Sequence, residues 1–141
     1  ETLSNQLNSM VDMYGKDRRF IILDENCSAI GFIGLYDINW IHRTSEIGIY
    51  IGEKTSHGKG YGKDSVQALE AYAKNYLNIT KIKLNVVENN RSALKFWMSL
   101  GYEIIGTYHA ERYIGGQFHN VVIMEKFISI IHSIKDDMEG F

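Results

Sequence analysis

The chain has 141 residues, of which 45% are hydrophobic and 23% charged, so it is long and apolar enough for one packed domain and unlike a disordered segment. Its formal net charge of -2, with no block of Lys or Arg, argues against nucleic-acid binding, and no apolar run approaches the roughly 20 residues of a membrane span. Cys27 is the single cysteine, which excludes an intrachain disulfide and favours a reducing, cytoplasmic location.

The first half of the chain predicts one helix and three strands. Apolar residues at helical spacing predict an amphipathic helix over residues 2–13. Segments rich in Ile and Phe predict strands over residues 19–23, 28–37 and 45–52. Because no helix separates these strands, we expect them to form an antiparallel meander.

The second half of the chain alternates between helical and strand patterns. The predicted elements are a helix over 62–77, a strand over 81–87, a helix over 91–100, a strand pair over 102–113 and 117–127, and a short helix over 128–138. This order predicts an α/β (α+β) fold with a mixed sheet. No repeat or linker divides residues 1–141, so we expect one domain.

The Gly-rich turn over residues 57–62, between a strand and a helix, carries the clearest chemical signal. Backbone N–H groups at a helix N-terminus, with no side chains in the way, form an anion cradle that the helix dipole strengthens. Lys59 and Lys63 add positive charge. The turn therefore suits a phosphate or pyrophosphate, the alternative being a tight turn that holds no ligand.

Two common phosphate-binding motifs do not fit this turn. The Walker motif has four residues between its glycines and a Ser or Thr after its Lys. Here the spacing from Gly58 to Gly62 is one residue too short, and Asp64 stands at the hydroxyl position. The dinucleotide motif needs a third Gly where Lys63 stands. These mismatches argue against an ATPase, a kinase and a dinucleotide-binding protein.

The turn resembles the pyrophosphate loop of the GNAT acetyltransferase superfamily, Arg/Gln-x-x-Gly-x-Gly/Ala, except that His57 replaces the Arg or Gln. Residues 40–48 resemble the entry to the family's fourth strand, and residues 90–102 resemble its N-x-x-A…Y-x-x-x-G-F signature. Residues 115–120 resemble the hairpin of the subgroup that acetylates ribosomal-protein N-termini and spermidine. Together the similar segments run in the right order over about residues 20–126.

The resemblance implies a mixed, mostly antiparallel sheet flanked by helices, with a V-shaped split between two central parallel strands. The family's first strand and first helix are not evident before Thr2, so we expect the domain to lack them. Acetyl-CoA is the implied co-substrate and lies in the split. The residues implied to bind it are Ile49 and Ile51 through their backbone, the loop residues His57, Gly58, Lys59, Gly60, Tyr61 and Gly62, and also Asn90 and Trp97. A helix N-cap is the alternative role for Asn90, and a place in the core is the alternative for Trp97.

Attack of an amine on a thioester needs a neutral nitrogen, so a carboxylate within hydrogen-bond reach can serve as general base. The resemblance implies Glu46, which matches a position on the family's fourth strand that often supplies this base; the alternative is a solvated strand carboxylate. The family often protonates the departing thiolate with a Tyr, but Trp97 stands at that position, and an indole is no such acid. Water, Tyr50, Tyr102 or Tyr108 would then supply the proton.

The predicted function is an acetyl-CoA-dependent N-acetyltransferase that acts by direct attack in a ternary complex. Its acceptor would be a protein N-terminus, a polyamine or another small amine. The alternative, which the substitution at Trp97 leaves open, is a catalytically weak acyl-CoA-binding or sensing module. The five histidines lack metal-ligand spacing, so we expect no metal. We expect no nucleic-acid or membrane partner, and the sequence leaves a homodimer open.

Overall fold

A six-stranded sheet forms the centre of the computed structural model, which describes residues 15–52 and 58–130. Its strands are β1 (Arg18–Leu23), β2 (Ala29–Asn39), β3 (Thr44–Ile51), β4 (Lys81–Val87), β5 (Glu103–Ile114) and β6 (Gln117–Phe127). Helix α1 (Tyr61–Tyr76) connects β3 to β4, and helix α2 (Arg91–Ser99) connects β4 to β5. The strand order β1-β2-β3-β4-β6-β5 puts β3 and β4 at the centre of the sheet.

The sheet is antiparallel except where β3 meets β4. Strands β1, β2 and β3 form the predicted meander. Strands β3 and β4 run parallel because α1 returns the chain to the same end of the sheet. They pair only at Thr44–Lys81, Ser45–Ile82 and Glu46–Lys83, although β3 continues to Ile51 and β4 to Val87. The predicted fold class, with its split between central parallel strands, is therefore confirmed.

One face of the sheet carries the hydrophobic core. Side chains of a strand alternate between its faces, and on β4 the alternate residues Ile82, Leu84 and Val86 are buried. Helices α1 and α2 cover this face through an apolar stripe that belongs to the same core cluster, namely Val66, Leu69, Ala73, Trp97 and the adjoining Leu100. Full burial of a side chain such as Val66 or Leu69 contributes about 1.5–3 kcal/mol, so the helices are held mainly by this contact.

The opposite face, called here the second face, carries polar side chains from the central strands. Glu46 precedes the buried Ile47 and therefore points to the second face, as the sequence predicts. Its register partner Lys83 points the same way. The Tyr36 ring lies over Gly48, where an added Cβ would be 3.2 Å from the ring. Glycine at that position thus leaves room for Tyr36 beside Glu46.

A buried polar cluster fastens α1 to the far half of the sheet. The Tyr102 hydroxyl donates to one carboxylate oxygen of Glu70 at 2.9 Å, and the Lys126 ammonium donates to the other at 3.0 Å. Lys126 also lies over the Tyr102 ring, 5.6 Å from its centroid. Burial, followed by the charge of Glu70, raises the pKa of the Tyr102 hydroxyl well above its usual range. The hydroxyl therefore stays protonated and remains a donor to Glu70.

The predicted strands and the two central helices are confirmed, with bounds that differ by at most two residues from the observed ones. Residues 128–130 are not helical, which corrects the start of the last predicted helix. Its remainder, residues 131–138, and the predicted helix over 2–13 lie outside the described residues, as does His57. Among the described helices, none is long and apolar enough to cross a membrane.

The substitution Tyr102→Phe should lower the free energy of unfolding by about 1–3 kcal/mol, because Glu70 loses a donor while remaining buried. Urea unfolding followed by tryptophan fluorescence measures this change. The matched control is Tyr76→Phe on α1, where the parent side chain is 80% exposed and the change should stay within about 0.5 kcal/mol. Equal stabilities of the two variants would contradict the role of the cluster.

The raised pKa of Tyr102 also predicts a pH dependence. The folded state holds the phenolic proton more tightly than the unfolded chain does, so the stability is fully present below about pH 10 and falls above it. The stability difference between the parent chain and Tyr102→Phe should therefore shrink above pH 10.

Candidate functional site

A cleft opens where β3 and β4 separate. A cavity of about 480 Å³ lies there, lined by Ile47, Gly48 and Ile49 on one side and by residues 84–87 of β4 on the other. Since neighbouring residues of a strand point to opposite faces, four in a row can line one cavity only along the edge of the strand. The cleft thus follows the edges along which β3 and β4 no longer pair with each other.

The Gly-rich turn leads directly into α1. Gly60 is the N-cap residue and has a φ of 83°, in the left-handed region that favours glycine. No side chain caps this helix end, and the first backbone bond of the helix runs from the Asp64 N–H to the Gly60 carbonyl at 3.0 Å. The earlier N–H groups of the helix have no intrahelical acceptor, so this end is suited to an anion.

A second cavity, of about 420 Å³, joins this turn to the cleft. Its lining residues are Ile49, Ile51, Gly58, Gly60, Tyr61, Gly62, Lys63 and Phe96. Ile49 and Phe96 also line the cleft, so the two cavities meet at these side chains. A Cβ on Gly62 would come within 3.1 Å of the Phe96 ring. Glycine there allows the start of α1 to approach α2, while Lys63 adds a positive charge beside the turn.

Most of the residues predicted to bind the co-substrate lie around these two cavities. The turn cavity collects Ile49, Ile51, Gly58, Gly60, Tyr61 and Gly62, and the cleft adds Asn90 and Trp97. Lys59 is exposed and lines neither cavity, and His57 lies outside the described residues. Phe96 was not among the predicted binding residues although it lines both cavities. Its position beside Trp97 in the recognised α2 segment was the available signal.

Tyr61, the first residue of α1, is tied to the turn between β1 and β2. Its hydroxyl donates to the Glu25 carboxylate, which lowers the pKa of Glu25 and raises the pKa of Tyr61. The bond is exposed to solvent, so it orients the start of α1 and contributes little to stability.

Asn90 caps α2 at the edge of the cleft. Its side-chain oxygen accepts from the Ala93 N–H at 3.2 Å and from the Ser92 hydroxyl at 3.1 Å. The capping role is thereby confirmed. Asn90 also lines the cleft, so a contact with the co-substrate stays a prediction that is compatible with the cap.

Trp97 belongs both to the core and to the wall of the cleft. It is 6% exposed and packs edge-to-face against Phe96 and Tyr102, with ring centroids 5.0 Å apart in each pair. The hydroxyl of Tyr102 is held in the buried cluster, and Tyr50 and Tyr108 are exposed. None of these three tyrosines lines the cleft, so the structure gives no support to any of them as the proton donor.

Glu46 lies at the last pair before β3 and β4 separate, one residue before the lining of the cleft begins at Ile47. It is half-buried on the second face. Its carboxylate has no hydrogen-bond or ion-pair partner among residues 15–52 and 58–130, although its register partner is Lys83. Glu46 does not itself line the cavity, and its role as general base stays a prediction.

Arg112 of β5 lines the cleft, although it is not among the residues predicted from the sequence. It lies beyond an irregularity of the β5–β6 pairing, where the register shifts between Tyr108 and Arg112. Because this shift follows from contacts between two strands, neither the composition nor the periodicity of β5 predicts that Arg112 reaches the cleft.

The described part of the chain contains no group of three or more side chains that could hold a metal ion. Of its histidines, His119 lies 3.4 Å from the Asn89 side chain and 3.2 Å from the Ile114 carbonyl. His42 and His109 are exposed.

Comparison with known proteins identifies the family. Residues 3–103 match the acetyltransferase (GNAT) domain. Spermidine N(1)-acetyltransferase of Vibrio cholerae is 29% identical over 117 residues, which cover 80% of this chain and 67% of the relative. The Escherichia coli K12 protein of that name is 30% identical over 119 residues, covering 80% and 63%. The chain thus spans about two thirds of the length of these curated relatives.

A solved structure agrees with these relatives. The structure of Vibrio cholerae spermidine N-acetyltransferase in complex with CoA and spermine aligns with a TM-score of 0.76 and 29% identity, covering 89% of this chain and 73% of that one. The chain therefore belongs to the GNAT acetyltransferase family, close to its spermidine N-acetyltransferases. This finding confirms the predicted family and, with it, the prediction of an acetyltransferase.

The substitution Asn90→Ala should lower the free energy of unfolding by about 1 kcal/mol, because the first turn of α2 loses its side-chain acceptor. Asn90→Asp should restore most of this loss, since Asp caps helices as well as Asn does. Chemical unfolding of the three chains measures both effects. If the Asp variant were as unstable as the Ala variant, the cap would not be the reason for the loss.

Proposed function

We propose that this chain transfers the acetyl group of acetyl-CoA to an amine, with protein, acetyl-CoA and acceptor together in one ternary complex. The observation that carries the proposal is the continuity of the anion-binding turn at Gly60 with the cleft beside Trp97. A long ligand with a pyrophosphate at one end and a reactive group at the other fits such a site. The kinship with spermidine N-acetyltransferases supports an amine as the acceptor, which would be a polyamine, a protein N-terminus or another small amine.

The phosphate end of acetyl-CoA would lie on the first N–H groups of α1, with Lys63 as the nearby cation. Its pantetheine arm would then follow the cleft past Phe96 to Trp97. The amide groups of this arm can bond to the backbone of β3 at Ile49, because β4 no longer pairs with β3 there. Ile51, the other residue predicted to bind the co-substrate, lines the turn cavity. The co-substrate would thus take the place of a neighbouring strand.

Acetyl-CoA supplies a thioester, whose carbonyl carbon accepts the amine nitrogen. The new N–C bond forms as the C–S bond breaks, and the nitrogen must lose one proton. Glu46 is the proposed acceptor of that proton, directly or through a water molecule, since it lies where the cleft narrows and its carboxylate has no partner among the described residues. The proton then leaves Glu46 to solvent, and the CoA thiolate takes one proton from water.

Trp97 would serve as a wall of the channel. Its indole N–H donates but does not titrate in the working range, so it cannot be the acid. A thiolate is a tolerable leaving group, and its protonation by water needs no protein side chain. This assignment agrees with the absence of Tyr50, Tyr102 and Tyr108 from the lining of the cleft.

A catalytically weak acyl-CoA-binding or sensing module is the second candidate, and Trp97 at the expected acid position is the observation that favours it. Thiol release from acetyl-CoA with a panel of amines, together with thermal stabilisation by CoA, separates the two. Stabilisation without turnover on any amine would favour the module.

We also propose that the chain acts as a single domain without a metal and works in the reducing cytoplasm. The free, exposed thiol of Cys27 is consistent with that location.

The substitution Gly60→Ala should weaken CoA binding about tenfold, because an L-residue at a φ of 83° costs about 1–2 kcal/mol and shifts the first N–H groups of α1. Isothermal titration with CoA measures the affinity. Gly115→Ala is the matched control, since Gly115 has a φ of 60° and open space around it but lies in the β5–β6 turn. A loss of affinity as large in the control as in Gly60→Ala would argue against the cradle.

The substitution Glu46→Gln should lower kcat on the order of a hundredfold, because the amide cannot take the proton, while CoA affinity stays unchanged. The loss should diminish at high pH, where more of the acceptor amine is already neutral. Thiol release under saturating acetyl-CoA measures kcat. Glu103→Gln removes an exposed carboxylate from the start of β5 and serves as control. Full turnover in Glu46→Gln would remove Glu46 from the mechanism.

A further inference from the structure

Arg112 is the single charged side chain among the described residues that line the cleft. The polar lining residues beside it, Asn85, Asn90 and Ser92, are neutral. The guanidinium of Arg112 has no hydrogen bond, ion pair or ring contact within residues 15–52 and 58–130. Because a guanidinium has five N–H donors and no acceptor, it presents an open binding site for an anion.

A bulge in β5 brings Arg112 to this position. The pairing of β5 with β6 passes from Tyr108–Val121 to Arg112–His119, so β5 uses four residues where β6 uses two. Within the bulge, Ala110 has a φ of 50°, and its N–H donates to the Asn120 side chain at 2.9 Å. Bulges near active sites commonly redirect a side chain. The bond from the Ala110 N–H to the Asn120 side-chain oxygen therefore stabilises the irregularity that sets the direction of Arg112.

Arg112 lies on the second face, the face that carries Glu46. Asn85 and Val87 of β4 point to this face, because they alternate with the buried Leu84 and Val86. Val121 of β6 pairs with Val87 and shares its face, and so does His119, two residues earlier in the same strand. Since Arg112 pairs with His119, it also shares that face.

The residues proposed to bind the co-substrate and Arg112 thus lie on different sides of the cleft: the former on the core face, the latter on the second face. Phe96 and Trp97, which line the proposed path of the pantetheine arm, belong to the helix that covers the core face. Arg112 does not line the turn cavity, where Lys63 supplies the cation. The second molecule of the reaction, the acceptor, must reach the thioester from the side that the co-substrate leaves free.

We propose that Arg112 binds an anionic group, a carboxylate or a phosphate, at the far end of the acceptor. This inference rests on the proposed acetyl transfer and specifies its substrate class. The acceptor would be an amine that carries negative charge several bonds from its nitrogen. A polycation such as the spermine held by the Vibrio cholerae relative would instead meet a like charge in the cleft.

The distances along β4 set the length of this acceptor. The amine reacts near the level of Glu46 and Lys83, and Val87 lies four residues further along, about 13 Å at the rise of a strand. Arg112 lies beside that far end and extends back into the cavity. An α-amino acid is too short to span from Glu46 to Arg112, whereas a chain of about six carbons or a short peptide has the right length.

The neighbouring carboxylates do not offset the positive charge that Arg112 brings to the cleft. No carboxylate lines the cleft among the described residues. Glu125, on the second face beside Lys83, pairs with Lys81 at 3.5 Å. Glu46 stands at the narrow end, where it would take the proton of the acceptor amine and not its distal group.

A matched series of acceptors tests the proposal on the full chain with saturating acetyl-CoA. The acceptors are 6-aminohexanoate, 6-aminohexyl phosphate, 6-aminohexanamide and 1,6-diaminohexane, which share a primary amine and a six-carbon chain and differ in the charge of the distal group. Thiol release gives kcat/KM for each. We expect at least one anionic acceptor to exceed the amide about tenfold or more, and the diamine to fall below the amide. The carboxylate and phosphate arms identify which anion is preferred.

Variants test whether Arg112 is the cause of this ranking of the acceptors by kcat/KM. Arg112→Gln should abolish the preference, so that the ratio of kcat/KM for the anion to kcat/KM for the amide falls to about one, and Arg112→Glu should make the diamine the best acceptor. Arg19→Gln is the matched control, because it also removes one positive charge, from an exposed β1 side chain 3.3 Å from Asp17. The control should keep the order of the parent chain. A parent chain that prefers the diamine, or an Arg112→Gln variant that keeps the anion preference, would overturn the proposal.

The outcomes separate this proposal from the proposed function. Acetylation of the amide without any anion preference would overturn the role of Arg112 and leave acetyl transfer standing. Failure of every acceptor, together with no stabilisation by CoA, would overturn acetyl transfer and this inference with it. CoA can also stabilise the chain without any turnover. In that case, the affinities of the CoA-loaded protein for 6-acetamidohexanoate and for 6-acetamidohexanamide are compared to test the role of Arg112. Tighter binding of the carboxylate, lost in Arg112→Gln, supports the proposal, and equal binding overturns it.

Discussion

The cleft exists because β3 and β4 stop pairing with each other partway along their length. Each strand remains bonded to its outer neighbour, β3 to β2 as far as Ile51 and β4 to β6 as far as Val87. Only the contact between the two strands ends, after Glu46 and Lys83. Between residues 47–49 of β3 and residues 84–87 of β4, the two strands therefore no longer bond to each other, and such an edge favours a ligand that brings donors and acceptors of its own. The cleft is the direct consequence.

Helix α1 connects the two halves of the sheet on either side of the split. It connects β3 to β4, and its first turn lines the turn cavity, where we propose that the phosphate end of the co-substrate binds. Further along, Glu70 anchors it to Tyr102 and Lys126, on the β4 side of the split. Because the same Tyr102 ring packs on Trp97, the buried cluster also supports the wall of the cleft. Stability and the shape of the site thus share one set of contacts.

The two faces of the sheet divide the chemistry. The core face carries α1 and α2, whose residues form the proposed channel for the co-substrate. The second face carries Glu46 and Arg112, which we propose to act on the acceptor amine and on its distal anion. Alternation along β3 puts Glu46 on the second face, whereas Arg112 reaches that face through the register of β5 with β6. Family membership alone does not specify the acceptor. The proposed binding of a distal anion depends on a single side chain, Arg112, and on the bulge in β5 that brings it to the cleft.

The strands, the two helices, the Gly-rich turn and the family can all be predicted from the amino-acid sequence, because they depend on local spacing. Apolar periodicity located the strands and α1 to within two residues, and the glycines of the turn indicated the ligand class. It also put Glu46 on the face opposite Ile47. Local spacing does not reveal which distant side chains meet. Glu70 joins Tyr102 and Lys126 across more than thirty positions, and Arg112 reaches the cleft through a bulge held by Asn120. Such contacts arise from strand register and packing, which no local pattern encodes.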